Sequence, residues 1–314
     1  MVRASMTGTA TRLTAVSRSA WLATFAIVLA AIGFGAVPFF VRGLADAGLS
    51  PVAIALSRYA LTAILLSAFV FRLRRDSAIL WALGTGLAIG LGWIGYVEAL
   101  RHAPVATVGV FYMSYPLFAL VAAWLLLAQR PSWQSVLAGG LILLAAAIAL
   151  SPASVDASAL PFLLLSLAAP LTFGAGIAIL TGKLMTLSAL ERVFYTTLGA
   201  SLGLLPLMLW ETAGGDDVFS IDGDTWLLLA GLALATAFIP QLLFVIAAPM
   251  VGAARTAAAG SVELPVMFVV GWMAFGEALD GWQLAAGLLV MAAIVLTPPL
   301  APPAAVTPAV AKTG

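Results

Sequence analysis

The chain has no cysteine and a single histidine, His102, among 314 residues. Without thiols, disulfides and thiolate metal sites are excluded. With one imidazole, most catalytic and metal-ligating constellations lose a necessary member. Charge is scarce as well. Asp, Glu, Lys and Arg make up 9% of the residues, against roughly 25% in soluble domains, whose surfaces must face water. The net charge is +1 and no basic patch stands out, so nothing is built to grip a phosphate backbone and nucleic acid is not a partner. A Gly-x-x-x-x-Gly-Lys loop for ATP is absent too.

What the chain has in plenty is apolar length. Hydrophobic residues make up 63% of it, and the mean hydropathy is +1.13. A spanning helix needs ~20 mostly apolar residues, and such runs lie at 21–41, 52–72, 78–100, 105–128, 133–150, 160–182, 191–211, 225–248, 253–275 and 281–298. Short separators with helix stop and start signals divide them, for example Gly48-Leu49-Ser50-Pro51 and Arg101-His102-Ala103-Pro104. Membrane β-barrels require ~10-residue alternating segments, which this sequence does not contain. The expected fold is therefore an all-α polytopic membrane protein of ten helices, with the lipid bilayer as its surroundings. Arg3, Arg12 and Arg18 precede the first run like the front of a signal peptide. That run is too long and lacks a cleavage pattern, so it reads as a first span.

Orientation follows from the basic residues. With the N-terminus cytoplasmic, the inside segments hold Arg3, Arg12, Arg18, Arg72, Arg74, Arg75, Arg130, Lys183, Arg192, Arg255 and Lys312; the outside loops hold Arg42 and Arg101. This bias predicts that both termini are cytoplasmic, with the acidic 211–224 loop outside. The expected organisation is an N-terminal tail (1–19), a first five-helix repeat (20–150), a second (151–298), and a proline-rich, disordered tail (299–314).

The repeat rests on matches in common order. Phe34-Gly35-Ala36 recurs as Phe173-Gly174-Ala175, Gly43 as Gly182, Ala99 as Ala248, Pro116 as Pro265, and Trp133-Gln134 as Trp282-Gln283. An odd number of helices per half sets the halves in opposite orientations. Inverted repeats of this kind are a transporter architecture with the substrate near the midplane.

Further residues resemble a known family. Ser50-Pro51 with Arg58-Tyr59, the stretch Ala99 to Ala106, Ser114-Tyr115-Pro116-Leu117, and Phe275-Gly276-Glu277 together resemble the EamA-type branch of the drug/metabolite transporter superfamily. The first-half counterpart of Gly276-Glu277 is Ala128-Gln129, a departure from the pattern. Tyr112 to Pro116 and the aromatic third and fourth helices are most similar to the bacterial aromatic amino-acid exporters. The resemblance implies a ten-helix basket that exports small metabolites across the inner membrane.

Three literal motifs are set aside. Gly90-Leu91-Gly92-Trp93-Ile94-Gly95 spells a dinucleotide fingerprint and Gly199-Ala200-Ser201-Leu202-Gly203 a nucleophile elbow, but both lie inside apolar helices and read as small-residue helix contacts. Asp222-Gly223-Asp224 lacks the spacing of a calcium loop.

Candidate site residues are the aromatic and polar side chains placed within the spans. Trp93 and Tyr96 are three apart on helix three; Tyr112 and Tyr115 share a stripe of helix four; Phe34, Phe173 and Phe244 are placed on helices one, six and eight. Plain helix packing explains such aromatics equally well, but as cavity walls they suit an apolar side chain and an ammonium group. Pro38, Pro116, Pro170, Pro206, Pro240 and Pro265 lie within spans and free backbone carbonyls, and Gln241 adds a polar side chain beside Pro240. Glu263 is a carboxylate deep in the ninth span, where charge is costly. It either binds a substrate ammonium, carries a proton, or is a neutral acid bonded to a neighbouring helix. Arg58 is expected to pair structurally with Glu98, and Arg101, His102 and Glu277 to be solvated at the outer rim.

The expected function is a secondary transporter, without catalytic residues, metal or cofactor, exporting aromatic or other apolar amino acids or similar small molecules by alternating access. The alternatives are a multidrug or nucleotide-sugar transporter on the same scaffold and, more distantly, a membrane assembly subunit. Homodimerisation is left open.

Overall fold

Proline decides where these helices break. In the computed structural model, which describes residues 20–70, 76–149, 156–213, 223–251, 256 and 259–296, the helices are α1 (Ala20–Asp46), α2 (Pro51–Ser67), α3 (Ser77–His102), α4 (Val105–Leu127), α5 (Trp133–Ala149), α6 (Ala157–Gly182), α7 (Ala189–Ala213), α8 (Gly223–Val251), α9 (Glu263–Phe275) and α10 (Gly281–Leu296). No strand occurs among the described residues. Six of the helices, α1, α3, α4, α6, α7 and α8, are long and apolar enough to cross a membrane; the other four are shorter and also apolar. The terminal tails, the 214–222 part of the acidic loop, and Arg72, Arg74, Arg75 and Arg255 lie outside the described residues.

Five of these helices are interrupted or remodelled near an intramembrane proline, which has no N–H to donate and pushes against the preceding turn. Helix α1 turns at Ala36 ahead of Pro38, α4 at Met113–Ser114 ahead of Pro116, and α6 at Leu167 ahead of Pro170. Helix α8 widens into a π-helical turn, Leu234–Phe238, ahead of Pro240. Ser261–Val262 form the turn before α9, whose third residue is Pro265. Carbonyls at these breaks find local donors: the Phe111 carbonyl accepts from Ser114 N at 3.1 Å and Ser114 Oγ at 2.7 Å. Pro206 sits within an unbroken α7. The continuous part of the ninth helix thus begins at Glu263, which becomes the first residue of a half-helix rather than the eleventh of a long one, and α2 ends at Ser67 rather than 72.

Small residues let α3 run between two partners. Gly86 and Gly90 lie against Thr196 and Ala200 of α7, while Gly92 and Gly95 lie against Ala168 and Leu165 of α6. Gly199 returns the contact, its Cα facing the backbone of Leu83. The apparent nucleotide and hydrolase motifs are therefore the packing faces of α3 and α7. Elsewhere α5 packs along α10, and the second half of α4 along α6.

Two helix ends match closely. Ala128 closes α4 at φ 54° and Gly276 closes α9 at φ 64°, both left-handed. The following amides, of Gln129 and Glu277, reach back six residues to Ala123 and Gly271 at 3.2 and 3.1 Å. The departure at Ala128-Gln129 therefore keeps the cap and changes only the side chains.

A methyl group at position 86 would collide with the Thr196 carbonyl. Overpacking of this kind costs about 1–3 kcal/mol, and a larger side chain more. Gly86→Val is expected to lower the melting temperature of the purified protein and its monodisperse yield, whereas Gly84→Val, with open space around it, should leave both unchanged.

Candidate functional site

The proline breaks surround one cavity. It has a volume of about 90 Å³ and is walled by α1, α2, α3, α4, α6, α7, α8 and α9. That is below the ~300–1,000 Å³ typical of pockets holding a small ligand, so a small metabolite would fit only as the walls move apart. Its mid-bundle part is lined by Phe34, Arg58, Tyr59, Trp93, Tyr96, Tyr112, Phe173, Gln241, Phe244 and Glu263; it continues past Thr85, Leu180, Val193 and Thr196 to Leu184 and Arg192 at the α6–α7 turn.

Eight of the nine residues singled out from the sequence line this cavity: Phe34, Trp93, Tyr96, Tyr112, Phe173, Gln241, Phe244 and Glu263. Tyr115 does not. The break at Met113–Ser114 rotates it out of the Tyr112 stripe, and its buried hydroxyl comes to rest near Gly260. Its ring still supports the wall from behind, 5.2 Å from Phe173 and 5.8 Å from Tyr112.

The wall is a continuous series of ring contacts. Tyr59 meets Trp93 at 5.9 Å, Trp93 meets Tyr96 at 5.5 Å, Tyr96 meets Tyr112 at 5.1 Å, and Tyr112 meets Phe173 at 6.0 Å. Phe173, Phe34 and Phe244 then close a three-ring cluster with spacings of 5.9–6.3 Å. These centroid distances lie within the favourable range for aromatic pairs, so the wall holds its shape without a ligand.

Two buried charges interrupt the apolar lining. Glu263 is 4% exposed and has neither a hydrogen bond nor an ion pair among the described residues. It starts α9, where the positive end of the helix dipole favours an anion. Arg58 is 5% exposed; its Nη2 donates to the Thr236 carbonyl at 2.6 Å, and its guanidinium lies 4.1 Å from the centre of the Trp93 ring. The expected Arg58–Glu98 pair does not form. Glu98 instead accepts from Arg101 at 3.2 Å and faces His102 at 3.6 Å, one turn along its own helix, because i, i+3 and i, i+4 neighbours are already within reach. Arg58 and Tyr59 are the site residues that sequence reasoning missed, and a charged residue inside an apolar helix was the available signal.

At the end of the bundle away from Arg192, a polar latch seals the structure. Arg42, near the end of α1, pairs with Glu277 at 2.5 Å and donates to the carbonyls of Leu100 at 2.8 Å and Ala103 at 2.7 Å. Glu277 accepts the Val105 amide at 2.9 Å, and Phe275 stacks beneath Arg42 at 4.6 Å. Glu277 is therefore a half-buried crosslink between α1, the α3–α4 turn and the end of α9, not a solvated rim charge. At the mouth, Arg192 donates from Nε to the Leu184 and Leu187 carbonyls, both at 2.9 Å, and so clamps the α6–α7 turn.

The family model for EamA-like transporters matches residues 21–151 and again 160–297. The chain belongs to the EamA-like transporter family. It is accordingly a multi-pass membrane protein, and members of this family are transporters of small metabolites rather than enzymes. Sixteen solved chains match it. One crystal structure covers 89% of this chain and 96% of its own at 17% identity, with a TM-score of 0.56, a likeness of fold alone. No curated protein matches the chain in sequence.

For an EamA-like transporter the latch has a measurable consequence. A hydrogen bond to a charged group contributes about 1.5–3 kcal/mol, and losing that much from one closed end shifts the open population by roughly ten-fold or more. Val37 lines the cavity, and the chain has no native cysteine to interfere. A Val37→Cys reporter should react at least several-fold faster with a membrane-impermeant maleimide added on the Arg42 side when Glu277→Gln is also present.

Proposed function

We propose that this protein is a secondary transporter that exports amino acids with aromatic or other apolar side chains, or similar small metabolites, across a bacterial inner membrane by alternating access. The observation that carries this reading is the cavity itself. A preformed aromatic wall takes an apolar side chain, while Glu263, unpaired among the described residues, supplies a counter-charge for an ammonium group. The subtype it fits best is the aromatic amino-acid exporter.

The architecture we propose is ten spans in two inverted five-helix halves, 20–150 and 151–298, with both termini cytoplasmic. Several features support it. The family model matches twice, once in each half. The corresponding helices α4 and α9 share a mid-span break before a proline and the same left-handed cap. Phe34 and Phe173, at equivalent places in the halves, meet edge to face at 6.3 Å, as residues near a pseudo-two-fold axis would. In this reading the Arg42–Glu277 latch is the closed outer face, and the mouth at Leu184 and Arg192 opens to the cytoplasm, the side from which an exporter loads.

A second reading draws on a groove between α3 and α6, lined by Leu80, Trp81, Thr85, Leu171, Thr172 and Gly176. It shares Thr85 and Gly176 with the central cavity. Side access of this kind favours a lipophilic drug arriving from the bilayer.

Efflux separates the two. Cells preloaded with labelled phenylalanine should lose it faster with the wild type than with an empty vector. Phe173→Ala or Tyr96→Ala should slow the loss on the order of ten-fold, the equivalent of about 1.4 kcal/mol, and Glu263→Gln should slow it at least as much. Phenylalanine efflux equal to the vector control, together with extrusion of a lipophilic cation, would favour the drug exporter.

A further inference from the structure

Arg58 is a buried charge with much of its bonding capacity unmet. Guanidinium stays protonated in proteins and presents five N–H donors in a planar fork. Here one nitrogen, Nη2, donates to a protein carbonyl, and the buried Nε has no hydrogen-bond partner at all. The carbonyl it does find belongs to Thr236, in the π-helical turn of α8, where the widened turn frees backbone acceptors. Together with the Trp93 face below it, this bond orients the guanidinium, while Arg58 lines the cavity with Nε buried and Nη1 without a protein hydrogen bond among the described residues.

Glu263 is the complementary charge. It lines the same cavity, yet the two form no ion pair. Tyr59, Trp93, Tyr96 and Tyr112 form the aromatic wall of the same chamber. One cation and one anion held apart in an apolar chamber leave both with open bonding capacity and the pair with no net charge. A monocation entering would find Glu263 but would leave Arg58 unanswered, and a monoanion would do the reverse. Only a neutral, dipolar guest answers both, because a buried charge is tolerated only when paired and hydrogen-bonded.

We infer that Arg58 is the carboxylate receptor of the transport site and that, with Glu263 as the ammonium receptor, it restricts this transporter to zwitterionic α-amino acids over amines and acids of the same shape. The inference rests on the amino-acid reading above and adds to it the residue that sets substrate class. A site built to hydrogen-bond a group discriminates strongly against analogues lacking it, since its own polar atoms are then left unpaired.

Isothermal titration of the purified full-length protein with three probes tests it: L-phenylalanine, phenethylamine, which lacks the carboxylate, and 3-phenylpropionate, which lacks the ammonium. Wild type should bind phenylalanine at least about ten-fold more tightly than either analogue. Arg58→Gln should lower phenylalanine affinity to that of phenethylamine while leaving phenethylamine unchanged, and Glu263→Gln should lower it to that of phenylpropionate. Should Arg58→Gln fail to fold, as its melting profile would show, Arg58→Lys keeps the charge and loses the fork; it should weaken phenylalanine several-fold and spare the amine. An equal loss of phenylalanine and phenethylamine in the folded Arg58 variant would make Arg58 purely structural and overturn the inference. Wild type binding phenylalanine and phenethylamine alike would also overturn it, leaving amino-acid export standing. Wild type binding none of the three would overturn both.

Discussion

The structure depends on one constraint: in lipid, every backbone N–H and C=O must find a partner within the protein. Unbroken helices meet it automatically, so departures are confined to places where something else can supply the bond. Here those departures collect around a single chamber. Helices α1, α4, α6 and α8 turn or widen in their middle thirds, α9 starts there, and each does so just before a proline. The loosened backbone does two kinds of work. Some groups are rebonded locally, as the Phe111 carbonyl is by Ser114, and some are turned to side chains, as the Thr236 carbonyl is to Arg58. The chamber is thus the consequence of proline placement as much as of the aromatics that line it.

The two ends of the bundle are not equivalent. Arg42 and Glu277 tie three connections together at one end. Taking Gly43 with Gly182 and Gly276-Glu277 with Ala128-Gln129, the corresponding positions at the other end are Thr181 and Gln129. The Thr181 hydroxyl bonds back into its own helix, to Ile177 and Ala178, and Gln129 is exposed. The cap geometry is kept at both ends while the charge pair is present at one. In the alternating-access cycle proposed above, the charge pair would weight one closed state over the other.

Most of the helices were legible in the sequence because apolar length and turn residues carry that information directly. The run at 78–100 appears as Ser77–His102 and that at 105–128 as Val105–Leu127. Trp93, Tyr96, Tyr112, Gln241 and Glu263 were legible for a related reason: their polar groups are costly against lipid, so they tend to turn inward, whereas Phe34, Phe173 and Phe244 carry no such signal and were placed by position along their helices. What hydropathy does not encode is lateral position. Glu98 was a reasonable partner for Arg58 by depth, but helix packing turns it to Arg101 and His102. Tyr112 and Tyr115 share a stripe only if the helix is continuous, and the break between them sends one into the chamber and the other behind it. The latch was illegible outright, since its members stand 235 residues apart.

Charge is distributed unevenly between the latch and the chamber. Pairing is cheap for this protein to arrange where it wants closure: Arg42 has two carbonyls, a carboxylate and a ring around it. Desolvating an ion costs several kcal/mol even after relaxation, and a well-packed apolar substitute for a buried pair is often as stable or more so. A chamber needed only for packing would therefore be better filled with leucine than with an arginine and a glutamate held apart. Arg58 and Glu263 instead lie within the aromatic wall, each buried and neither neutralised by the other. Their cost is intelligible if the partners they lack arrive with the cargo and leave with it, since charges already satisfied inside the protein would have nothing left with which to recognise a guest.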